Sequence, residues 1–384
     1  MEIYFDNSAT TRISEEALAK YVEVSRGTYG NPSSLHKMGL DAEKLLRGTR
    51  DQVLKSLGAK DGSVIFTASG SEANNLAIIG RAKAKSRFAG KKIITTDGEH
   101  ASVSEPLAHL AAEGFRVVKI ATVGGRLDME QLARELTPDV ILITMMMVNN
   151  ETGALYDTAK VSAMAKRVCP DALIHLDATQ SYMKIPFTKS SVGADMITIS
   201  SHKIEGPKGV GALVVDNAVI KNKGLAAMIL GGGQEGGLRS GTENVPGICA
   251  FGEAIRIASE GLRARYSMLC ELRERLLEGL EGLDVSVTVP ERYAPHIVNV
   301  TLPCIKSETM LHYLSSFGIF VSSGSACSSN SGHVSSALVA FGRSAEEADS
   351  SIRISLSYKN TAEEIDLLID GLKNGIEKLA RIRR

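Results

Sequence analysis

Between residues 60 and 215 the chain alternates short, nearly continuous apolar runs with stretches in which apolar residues recur every three or four positions. The runs fall at 64–67, 92–96, 116–120, 139–145, 172–177, 196–200 and 210–215. Such runs fit strands buried on both faces of a parallel sheet, and the spacing between them, as at Leu76, Ile79 and Ala82, fits covering helices. This is the βαβα grammar of an α/β fold. Only residues 201–209 separate the last two runs, and they include Gly206, Pro207 and Gly209. That is too short for a parallel crossover, so the run 210–215 is predicted to lie antiparallel to its neighbour or on the sheet edge.

Beyond 215 the pattern changes. Residues 216–245 are glycine-rich, with GGGQEGG at 231–237, and read as loop. A helical pattern with room for breaks runs from about Pro246 to about Leu283 and is expected to bridge two domains. Strands are predicted near 285–289 and 297–301, a helix near 308–317 and a further apolar run at 318–321. Residues 322–336 are mostly Ser and Gly around Cys327 and read as a mobile loop. The last helix opens on a capping box, Thr361 with Glu364, and its apolar face is Ile365, Leu368, Ile369, Leu372, Ile376 and Leu379.

A length of 384 residues favours two domains. The 43% hydrophobic and 23% charged residues are those of a globular chain that can bury a core. Lys plus Arg and Asp plus Glu both number 44, so there is no basic excess to mark a nucleic-acid binder. The longest apolar run, 140–148, is broken by Thr144 and is too short for a membrane span. The opening MEIYFDNSATT lacks the features of an export signal, so a cytoplasmic location is expected. Five cysteines, an odd number, give no disulfide framework, and without CxxC or HExxH no metal site is expected. Cys169, Cys249, Cys270 and Cys304 lie in or beside periodic segments and read as small buried hydrophobes. Cys327, in its polar loop, reads as an exposed thiol able to act as a nucleophile.

Three segments at strand ends could carry chemistry. In FTASGSEANNLAI (66–78) a strand meets small polar residues and then a helix, a turn whose free N–H groups suit a phosphate; Gly70 allows close approach and Ser71 offers a hydroxyl, though an ordinary helix cap would look alike. In LDATQ (176–180) Asp177 sits where ligands of α/β sheets usually lie, or else caps the following helix. In SSHKIEGPKG (200–209) Lys203 lies between a strand end and a Gly/Pro turn, where a lysine could form a Schiff base or simply face solvent. Together, a phosphate cradle, a carboxylate and a lysine match the needs of pyridoxal 5′-phosphate (PLP).

With YFDNSATT (4–11), GTYGNPSSLH (27–36), DGEHASV (97–103), VNNETG (148–153), HLDATQS (175–181), GGGQEGGLRSGTENVPG (231–247), SSGSACSS (322–329) and SSIRISLS (350–357), in that order, the chain resembles the NifS/IscS-type cysteine desulfurases. These form part of the class-V aminotransferase branch of fold-type I PLP enzymes. The resemblance implies an α/β, PLP-dependent transferase fold. A large domain, 13–258, would hold a mostly parallel seven-stranded sheet, and a smaller α/β domain would comprise 1–12 and 259–384. It implies Lys203 as the Schiff-base lysine and proton carrier, Asp177 on the pyridine nitrogen, Gln180 on the ring hydroxyl, and His100 stacked on the ring and moving protons. Gly70, Ser71, Ser200 and His202 would hold the phosphate. Thr242 would reach the phosphate of a neighbouring subunit in a homodimer. Asn150 and Arg353, with Asn31 as a weaker third, would bind the substrate carboxylate; on spacing alone Arg353 reads as a solvated charge.

The implied reaction takes L-cysteine to L-alanine and leaves the sulfur on Cys327 as a persulfide, for transfer to an iron–sulfur scaffold or another acceptor protein; a transient iron–sulfur ligand role for Cys327 stays open. A selenocysteine lyase or other class-V aminotransferase is the alternative enzyme, and a non-catalytic scaffold the alternative class. Two departures stand out: the turn reads FTASGSEAN, where relatives often carry SGATES or SGGTES, and Glu205 occupies a position where relatives often carry an aromatic or histidine.

Overall fold

The computed structural model describes residues 2–85, 90–302, 304–323 and 334–381. The strands are β1 (Ile3–Tyr4), β2 (Ser63–Thr67), β3 (Lys92–Thr96), β4 (Arg116–Ile120), β5 (Val140–Met146), β6 (Leu173–Asp177), β7 (Met196–Ser200), β8 (Gly211–Val215), β9 (Ser286–Thr288), β10 (Ile297–Thr301), β11 (Ile319–Phe320) and β12 (Ser351–Ser355). Among the described residues β2 to β8 form one seven-stranded sheet in the order β2-β8-β7-β6-β5-β3-β4. The apolar runs of the sequence thus become strands within a residue or two of their predicted ends. β8 is antiparallel to both its neighbours, as its short connection requires, but it lies inside the sheet and not on its edge. All other pairings in the sheet are parallel.

Alternation along these strands feeds two cores. Val64 and Phe66, Ile94 and Ile143 pack on one face, while Ile65, Ile93 and Leu142 pack on the other. Every residue of β5 is buried, which explains its unbroken apolar run. One face is covered by the helices Glu15–Gly27, Lys37–Ser56 and Val245–Ser259, which pack against one another; the other is covered by Gly70–Lys85 and Ala101–Ala112.

The chain beyond residue 260 builds a separate core on an antiparallel β9-β10-β12 sheet and the helices Leu262–Leu280 and Ala362–Arg381. The long helical pattern after Pro246 breaks at Gly261, which takes φ +83°. The predicted capping box is present: Glu364 N–H donates to Thr361 Oγ1 (3.2 Å) and Thr361 N–H to the Glu364 carboxylate (3.2 Å). Ile3 and Phe5 join this core from the amino end, where β1 pairs in parallel with β11. The segment 216–245, read as loop, contains a short helix, Asn217–Lys221, and a 3-10 turn at Glu235–Gly237. Cys304 also departs from expectation: it is exposed, at φ +64°, whereas Cys169 and Cys249 are buried.

Candidate active site

Because β8 runs opposite to the other six strands, its first residue meets their carboxyl ends. Gly211 pairs with Thr67 at the end of β2 and with Ser200 at the end of β7. The turn into the helix Gly70–Lys85 is thereby drawn close to Ser200: a Cβ on Gly70 would stand 3.3 Å from Ser200 Cβ and 3.3 Å from Thr179 Oγ1. Ser69 caps this helix, its Oγ accepting from Glu72 N–H at 3.1 Å, and the Glu72 carboxylate accepts from Ala68 N–H (3.0 Å) and from Arg239 Nε (2.8 Å). The first N–H groups of a helix have no carbonyl a turn earlier to receive them, so the turn presents donors and a positive dipole end to whatever lies beyond it.

Beyond it is a cavity of about 250 Å³ at the carboxyl edge of the sheet. Gly70, Ser71, His100, Asn150, Asp177, Gln180, Ser200, His202, Lys203 and Arg353, scattered over nearly three hundred residues, all line it. Asp177 ends β6 and is 6% exposed; its Oδ1 accepts from Thr179 N–H (2.9 Å) and its Oδ2 from Asn74 Nδ2 (2.7 Å). His100 caps the helix Ala101–Ala112 through Nδ1, which accepts from Ser102 N–H at 3.1 Å, so a neutral ring carries its proton on Nε2. Burial pushes its pKa below the ordinary value, with Lys203 and Arg353 adding to the effect and Asp177 opposing it. His202 is pushed down to about 4, first by burial and then by Lys203, Lys208 and Lys184.

Lys203 Nζ donates to the carbonyls of Ser8 (2.5 Å) and Ala9 (2.7 Å). Gln180 Nε2 also donates to Ser8 O (2.9 Å), leaving Gln180 Oε1 buried without a partner among the described residues. Arg353 is no solvated charge. It is 2% exposed on β12, pairs with Asp6 (2.8 Å), donates to Asn150 O (3.0 Å) and keeps an Nε with no partner among the described residues.

Two predicted residues lie elsewhere. Asn31 is exposed and outside the cavity, its Oδ1 accepting from Ser33 N–H. Thr242 is exposed and also outside it. Cys327 falls outside the described residues. Glu205 turns away from the cavity: held at φ +64°, it pairs with Lys359 (2.6 Å) and accepts from the Tyr358 hydroxyl (3.1 Å). Sequence reasoning assigned no role to Ser8, Ala9, Asn74 or Thr179. Ser8 and Ala9 act through backbone carbonyls, which no side-chain pattern reveals.

The residues fit PLP on structural grounds. A glycine cradle beside helix N–H groups suits a phosphate, a buried carboxylate suits a protonated pyridine nitrogen, and the orphaned Gln180 Oε1 suits a ring hydroxyl.

The class-V aminotransferase family matches residues 3–368. The chain is 36% identical over 379 residues to cysteine desulfurase IscS 1 of Archaeoglobus fulgidus, covering 98% of this chain and 97% of that one. It is 38% identical over 388 residues to cysteine desulfurase IscS of Klebsiella pneumoniae subsp. pneumoniae, covering 100% and 94%. A solved NifS-like protein superposes with a TM-score of 0.90 at 35% identity, over 99% of this chain and 100% of that one. With a full-length match to the family and a cavity suited to its cofactor, the chain belongs to the class-V aminotransferases, in their cysteine desulfurase branch.

Proposed function

We propose that the chain is a PLP-dependent cysteine desulfurase: L-cysteine and the thiol of Cys327 give L-alanine and a Cys327 persulfide, whose outer sulfur passes to an acceptor protein such as an iron–sulfur scaffold. The observation that carries this reading is the convergence of Lys203, Asp177 and the Gly70 turn on one cavity.

When bound, PLP supplies an electron sink for the substrate α-carbon. Gly70, Ser71, Ser200 and His202 would hold its phosphate, and Asp177 and Gln180 would fix its ring. Lys203, whose Nζ donates to the Ser8 and Ala9 carbonyls, would be its covalent anchor and would carry the α-proton. Asn150 and the free Nε of Arg353 take the substrate carboxylate; the other Arg353 nitrogens are held by Asp6 and Asn150 O, which orients the guanidinium. His100, neutral and donating from Nε2, manages the proton of the substrate thiol, and Cys327 attacks its sulfur.

We also propose the domain division at 13–258 and at 1–12 with 259–384. The helix break at Gly261 and the packing of Ile3 and Phe5 with Leu269 and Leu276 support it. A homodimer, in which Thr242 reaches the partner's phosphate, and a cytoplasmic location complete the reading; no helix among the described residues is long and apolar enough to cross a membrane.

The test mixes the full-length protein with PLP, L-cysteine and a reductant. Alanine and sulfide should appear in equal amounts, and without reductant one extra sulfur should reside on the peptide containing Cys327. Cys327→Ser should still bind PLP and release no sulfide, because a hydroxyl is a far poorer nucleophile near neutral pH. Wild-type sulfide release from that variant would overturn the proposal.

A further inference from the structure

Behind the cavity wall, Asn74 spends both hydrogens of a single amide on site residues. One goes to Asp177 Oδ2 at 2.7 Å and the other to Ser102 Oγ at 2.9 Å. Ser102 Oγ in turn lies 2.8 Å from His100 Nδ1. Nδ1 accepts from the Ser102 N–H and so carries no proton in the neutral ring; the Ser102 hydroxyl therefore donates to it, while a lone pair of the same oxygen receives Asn74. The amide cannot be turned over, because its oxygen would then face a carboxylate. Asn74 is 1% exposed, and its Oδ1 has no partner among the described residues. A buried acceptor left unmet costs free energy, here in exchange for two placed donors.

We propose that Asn74 is a positioning residue that couples Asp177 to His100 through Ser102. This rests on reading the cavity as the PLP site, where one residue faces the ring nitrogen and the other the ring face. Asn74 touches neither substrate nor cofactor. It fixes the carboxylate orientation and, by donating to the Ser102 oxygen, strengthens that hydroxyl as a donor to His100 Nδ1, which favours the ring with its proton on Nε2. Nothing in the sequence marks it: Asn74 and Asn75 read alike, yet the Asn75 amide donates only to Ser71 O one turn back.

The test is a nitrogen NMR titration of His100 in the full-length protein, cofactor-free and PLP-loaded, for wild type, Asn74→Ala, Ser102→Ala and the double variant. Asp177, Lys203 and Arg353, the charged groups facing His100, are retained throughout. Without Asn74 the hydroxyl is a weaker donor to Nδ1, so protonation of Nδ1 becomes easier. Each single variant should raise the His100 pKa, by about one unit, and the double variant should match Ser102→Ala. In the loaded protein the acid limb of the turnover profile should move with it.

Additive shifts, or a His100 pKa that ignores Asn74, would overturn the coupling. If Asn74→Ala does not fold, Ser102→Ala is compared with Ser102→Thr, which keeps a hydroxyl; the proposal fails if the two titrate alike. Failure of the wild type to bind PLP would instead overturn the reading of the cavity, which the cofactor-free titration does not need.

Discussion

Lys184 carries its amine into a buried position with no hydrogen-bond partner among the described residues. Burial, then the charges of Lys203 and Arg353, push its pKa down from 10.5 to about 7, with Glu205 opposing them. The unfolded chain therefore binds a proton that the native state refuses between these values, and stability rises as pH climbs through that window; below it the penalty is constant. Lys184→Met should stabilise the protein by about 1–3 kcal/mol near pH 6, with the gain shrinking towards pH 10. Urea unfolding at the two pH values checks this, and a gain independent of pH would show that the amine is not the cause. At this scale His100 came only with the family resemblance, whereas the sequence revealed residues whose chemistry is rare at a strand end, Asp177 and Lys203. It hid Arg353, because the serines around it say nothing of burial, while on β12 the side chain turns inward to Asp6.

At the scale of elements, the inward-lying β8 sets the turn proposed to hold the phosphate. A Cβ on Gly211 would stand 2.5 Å from Ser69 C, 2.7 Å from Ser69 O and 2.8 Å from Gly70 N, all backbone atoms that would have to move. Gly211→Ala should therefore leave the sheet folded but displace the start of the helix Gly70–Lys85, weakening PLP binding by about tenfold or more, a barrier of roughly 1.4 kcal/mol in affinity. An absorbance titration with PLP measures this; unchanged affinity would mean that the turn adjusts freely. The strands were legible because their apolar runs are short and sharply bounded. Their order was not, since β8 slots between β2 and β7 through contacts that no local pattern encodes.

At the scale of the whole molecule, the exposed Thr242 raises the matter of shared sites. A preparation of Thr242→Ala mixed with Lys203→Ala should regain activity as subunits exchange, because one site of each mixed dimer would carry neither defect. No recovery despite proven exchange would confine Thr242 to its own subunit. The separate core beyond residue 260 was foreseeable from the change of pattern beyond residue 215. The role of the amino end was not: its carbonyls hold Lys203, and its Asp6 holds Arg353.

That last arrangement has a consequence for biosynthesis. Asp6 is made 347 positions before the arginine it holds, so the pair forms only once both have emerged. No contiguous fragment shorter than residues 8–353 contains the whole lining of the cavity, and a growing chain holds only parts of it until Arg353 has been made. A product terminated before Arg353 therefore lacks the arginine that lines the cavity and pairs with Asp6.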